Sequence, residues 1–143
     1  MNILMLKKAP TKNENRAMSE LYAGLERHTN LKRSDVRVEY LIEEQLPKDR
    51  KPNAEETTGA LLRMFDLLAT VTSDIIVTAG VFATRAVMGP VDMAAVHGIP
   101  HAVTVAGRAL TVFPMYDPAA GLGNKGFLAA LAYDLKASRA FRS

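Results

Sequence analysis

Apolar positions along the chain alternate between short continuous runs and helically spaced stripes. Asn2–Leu6 (NILML) is almost wholly apolar and is closed by Lys7 and Lys8, the pattern of a strand buried inside a sheet. Lys7–Asn13 reads as a loop. Ala17, Met18, Leu21, Tyr22 and Leu25 then recur at helical spacing, with Asn13 placed to cap the helix and Glu14 in its first turn. Asp35–Ile42 alternates Val36, Val38, Tyr40 and Ile42 with Arg37, Glu39 and Leu41, predicting a strand at or near a sheet edge. Asn53 and Glu56 form a capping-box pair, and Leu61, Leu62, Phe65 and Leu68 are expected to supply the buried face of the helix that follows. Asp74–Thr78 is a β-branched run of the kind buried on both faces of a parallel sheet. Ala79–Gly80 turns from it into a short helix over Phe82–Met88, stopped by Gly89–Pro90.

Two further strand-like runs, Ile99–Ala106 and Arg108–Phe113, meet at Ala106–Gly107, a hairpin turn. A final helix is expected over about Asn124–Arg139, with Phe127, Leu128, Leu131 and Leu135 inward. Strands and helices thus alternate before the hairpin. That order predicts an α/β fold, a three-layer α/β/α sandwich on a small, mostly parallel four-stranded sheet. The 143 residues suit one such domain.

Composition narrows the chemistry. With no cysteine in the chain, disulfides, zinc–thiolate sites and iron–sulphur clusters are excluded, and a cytoplasmic setting is expected. Apart from His97 and His101, no pair of histidines or carboxylates has metal-ligand spacing, and no cofactor is expected. No apolar run reaches the roughly 20 residues of a membrane span, so no membrane partner is expected. The formal charge is +3, which suits phosphate but says little until the charges are placed.

The chemistry-bearing residues sit in three loops at carboxyl ends of predicted strands, where ligands of open parallel sheets bind. The first carries Lys7, Lys8, Ala9 and Pro10. The second carries Gly80, a position for close backbone approach. The third, within TVFPMYDPAAGLG, carries Tyr116, Asp117 and Leu122. Each has a plainer reading. Asp117 also reads as the cap of a turn before Pro118, Tyr116 as packing, Lys7 and Lys8 as solvated lysines, and Glu14 as a helix-start carboxylate. His97 and His101 read either as site residues or as exposed positions at the hairpin edge.

Three stretches together, LKKAPTKNEN, KDRKPNAEETTGALLRMFDLLATVTSDIIVTAGVFATRAVMG and TVFPMYDPAAG, resemble the uracil-DNA glycosylase superfamily, in particular its bacterial and phage iron–sulphur branch. The resemblance implies a uracil-DNA glycosylase-like fold over the whole chain and a pocket for a base flipped out of DNA. It also implies a site built from Lys8, Ala9, Pro10, Gly80, Tyr116 and Asp117, with Leu122 as a wedge at the rim. Lys8 and Asp117 fall at the two catalytic positions. The sequence departs from the family pattern there. Lys7 and Lys8 replace a glycine and a glutamate, Asp117 replaces a histidine that stabilises the leaving base, Tyr40 replaces an asparagine, and the cluster cysteines are absent.

Two functions follow from the resemblance. One is base excision from single- or double-stranded DNA by N-glycosidic hydrolysis, with altered or weak activity. The other is a catalytically inactive glycosylase fold that binds DNA or a protein partner. A small-nucleotide-binding domain is a poorer reading, since neither standard glycine-rich phosphate loop is present.

Overall fold

A computed structural model of the chain describes residues 2–121. Its sheet has five strands in the order β2-β1-β3-β5-β4. They are β1 (Ile3–Lys7), β2 (Val36–Tyr40), β3 (Ile75–Ala79), β4 (His101–Val105) and β5 (Arg108–Met115). β1 pairs in parallel with both β2 and β3, and β3 pairs in parallel with β5. Only β4 runs antiparallel, against β5. The sheet is therefore α/β and mostly parallel, but it has five strands rather than four. Both arms of the hairpin join it, and β5 alone lies against β3.

Strand positions follow the hydrophobic pattern. β1 and β3 are buried at every residue and occupy the interior. β2, with its wetter alternation, is an edge. The β4–β5 turn puts Ala106 at φ 52° and Gly107 at φ 74°, the left-handed pair that a two-residue hairpin turn demands.

Among the described residues four α-helices pack on the sheet: α1 (Glu14–His28), α2 (Ala54–Ala69), α3 (Val81–Met88) and the single turn α4 (Met93–Val96). Period two along β1 sorts its side chains. Ile3 and Met5 meet Met18, Leu21 and Leu25 of α1 on one face. Leu4 and Leu6 meet Met64 and Leu68 of α2 and Ala83 and Val87 of α3 on the other. α2 starts as its capping box dictates, with Asn53 Oδ1 accepting from Glu56 N at 2.8 Å and Glu56 Oε1 from Asn53 N at 2.9 Å. Its buried face includes Leu68, as expected, but otherwise differs from expectation. Ala60, Met64 and Leu68 point inward, while Leu61, Leu62 and Phe65 are 36%, 62% and 47% exposed. The helix is apolar on several sides, so its sequence alone does not choose the face that meets the sheet. The expected final helix lies outside the described residues.

The first connection carries the chain from β1 through α1 to β2 on one side. The second returns it through α2 to β3 on the other. The strand order reverses between β1 and β3. In open parallel sheets such a switch point opens a crevice at the carboxyl ends of the strands.

Candidate functional site

A cleft of 680 Å³ lies at that switch point. Its walls come from Lys8, Thr11 and Lys12 after β1, from Gly80, Val81, Phe82 and Arg85 after β3, and from Tyr116, Asp117 and Ala119 after β5. Four residues singled out from three separate loops, Lys8, Gly80, Tyr116 and Asp117, thus line one space. Ala9 is buried and Pro10 half-buried, and neither is among the lining residues. Leu122 lies outside the described residues.

Gly80 shapes the floor. Its φ of +93° is open to glycine at little cost. Its N–H donates to Met115 O at 2.8 Å, which ties the end of β3 to the end of β5. The buried Thr84 hydroxyl secures the turn from inside, at 2.8 Å from Gly80 O and 3.0 Å from Thr78 Oγ1. An added Cβ on Gly80 would meet Cβ of Asp117 at 3.3 Å.

Asp117 performs its plainer role and faces the cleft as well. Its Oδ1 accepts from Ala119 N at 3.0 Å, the turn cap expected before Pro118. The same oxygen lies 3.2 Å from Nζ of Lys7.

Lys7 overturns its reading as a solvated loop lysine. It is the last residue of β1 and is fully buried. Alternation places it on the same face as Ile3 and Met5, toward α1. There its ammonium meets Glu14 Oε1 at 2.5 Å, Met18 Sδ at 3.8 Å and Asp117. Glu14 Oε1 also accepts from the Tyr40 hydroxyl at 2.8 Å, and Oε2 from Thr11 N at 3.1 Å. Burial pushes the Glu14 carboxyl up, but the Lys7 hydrogen bond and charge, the Thr11 N–H and the Tyr40 hydroxyl outweigh it and hold the group below its ordinary value of 4.5. Tyr40 is raised well above the ordinary phenol range by burial, by its hydrogen bond to Glu14 and by the charge of Glu14. It stays a protonated donor. So β1, β2, α1 and the loop after β5 meet in one network, buried side by side with the cleft.

Lys8, the next residue, lies at the bend that follows β1. Among the described residues its ammonium has no hydrogen-bond or ion-pair partner, and it lines the cleft. His97 ends α4 and places its ring 4.8 Å from the ring of Tyr116, tilted by 45°. His101 approaches Val96 O through Nε2 at 3.2 Å. Of the two histidines, His97 is the one that touches a cleft residue. Among the described residues no cluster of three or more His, Asp or Glu could hold a metal ion, and no helix is long and apolar enough to cross a membrane.

No protein-family model matches the sequence, and no curated protein matches it either.

Proposed function

We propose that this protein binds DNA through the switch-point cleft and acts as a uracil-DNA glycosylase-like enzyme of altered or weak activity. One observation carries the reading. Lys8, Gly80, Tyr116 and Asp117, drawn from the three stretches that resemble the superfamily, line a single cleft. The chemistry open to these groups is hydrolysis of an N-glycosidic bond. A water attacks C1′ of the nucleotide and gives its proton to the Asp117 carboxylate. The bond to the base breaks, its electron pair leaves with the base, and solvent protonates the base. The Lys8 ammonium offsets the charge that builds on the departing base. In its ion pair the Asp117 carboxylate accepts and does not donate, so it replaces the function of an attacking-water base rather than that of a donor histidine.

The double engagement of Asp117 Oδ1, by Lys7 Nζ at 3.2 Å and Ala119 N at 3.0 Å, favours a second reading. A carboxylate so held is less available as a base, and the cleft then binds DNA without cleaving it. A gel assay on single-stranded and duplex oligonucleotides carrying one uracil, developed with alkali, separates the two. Cleavage lost in Asp117→Ala supports the enzyme. No cleavage at high protein excess, with a retained gel shift, leaves the binding protein. Absence of both would refute the DNA reading.

A further inference from the structure

Beside the cleft a second groove of 550 Å³ runs between α2 and α3. The two share Lys8, Val81, Phe82 and Arg85, so one continues into the other. The groove differs in charge. The cleft carries Asp49, Asp92 and Asp117 alongside its cations. The groove is lined by Lys8, Lys51 and Arg85 with no carboxylate among its residues. Elsewhere the arginines Arg16, Arg37, Arg50 and Arg63 are each paired with a glutamate. Among the described residues none of the three groove cations has such a partner, and Arg85 spends only its Nε, on Val91 O at 3.3 Å. Between the cations lies an apolar wall: the half-buried Phe82, with Val81 46% and Leu61 36% exposed. Unpaired cations flanking an aromatic ring suit an anion joined to a planar, weakly polar ring.

We propose that this groove is a subsite for a second, flanking nucleotide of single-stranded DNA. Its base stacks on Phe82 and its phosphate lies against Lys51 and Arg85. The inference rests on the DNA reading of the cleft and adds to it a preference for unpaired strands, because a base stacked on Phe82 cannot at the same time remain in a duplex.

The test is fluorescence anisotropy with a labelled thymidine oligonucleotide and with a duplex long enough to stay paired at every salt concentration used. Wild type is expected to bind the single strand more tightly. Phe82→Leu, which keeps apolar bulk but removes the ring face, should weaken single-strand binding by about fivefold or more and duplex binding by clearly less. Lys51→Ala, on an exposed loop outside the core, should lower the slope of log affinity against log salt by about 0.7 for the single strand. Equal affinity for both forms, with Phe82→Leu and Lys51→Ala both silent, overturns the subsite and leaves DNA binding at the cleft standing. No binding of either form at low salt overturns the DNA reading and the subsite with it.

Discussion

Nζ of Lys7 lies 3.2 Å from Oδ1 of Asp117, so a buried ammonium at the end of β1 pairs with a half-buried carboxylate after β5. The same ammonium neutralises Glu14. Two carboxylates therefore depend on one cation that is fully buried. Removing one partner of a buried pair costs far more than the pair itself contributes, because the remaining charge is left without solvent or counter-ion. Lys7→Met is expected to lower unfolding free energy by about 3 kcal/mol in urea titration. Adding Glu14→Gln to it should recover part of that loss, and a purely additive double variant would mean the contact carries no coupling.

Acid should find the same network. Glu14 sits below its ordinary value of 4.5 in the folded protein. A carboxyl with a depressed folded value contributes stability that is fully present above its unfolded value and is lost as pH falls through the folded one. Stability is thus expected to drop below about pH 4.5, with Glu14 among the causes. Glu14→Gln should be less stable than wild type at neutral pH and should show a shallower acid limb below pH 4.5. An unchanged acid limb would mean that other carboxylates set it.

The interior or edge position of the first three strands could be read from the chain, because it rests on local burial pattern, whereas their order in the sheet and the fifth strand could not. β1 and β3 are apolar throughout and central; β2 alternates and is an edge. The Asn53–Glu56 box and the Ala106–Gly107 turn were likewise local signals with local causes. What the sequence hid was non-local. Lys7 next to Lys8 and Pro10 has the look of a surface lysine, and its partner Asp117 is distant in sequence. One signal did exist: continuing the period-two register of Ile3 and Met5 by one step puts Lys7 on the buried face, opposite Glu14 and Met18 of α1. The face of α2 had no such signal, since Leu61, Leu62 and Phe65 are as apolar as the residues that were buried. The cleft itself was legible as three loops. That they close on one space follows from the strand order, which places β3 between β1 and β5.

The hairpin turn holds a small reserve of stability. Ala106 adopts φ 52°, a left-handed conformation that costs an alanine about 1 kcal/mol. Asparagine tolerates it and is favoured before glycine in such turns. The residue is exposed, so no packing is lost. Ala106→Asn is expected to raise stability by about 0.5–1 kcal/mol, visible as a higher midpoint in thermal or urea unfolding.

Gly80 and Gly89 allow strain to be separated from function. Both have positive φ, +93° and +82°, so alanine at either strains the backbone by about 1–3 kcal/mol. They differ in what a methyl group meets. At Gly89 nothing lies within 4 Å, whereas at Gly80 it would press on Cβ of Asp117 at 3.3 Å. That distance is tight enough that Asp117 must move, and with it the carboxylate held by Lys7 and Ala119. Gly80→Ala and Gly89→Ala are thus expected to lose similar stability in urea titration. Only Gly80→Ala should also weaken oligonucleotide binding or uracil release at a temperature where both variants are folded. Equal binding by the two variants would mean that the position of Asp117 does not govern what the cleft holds.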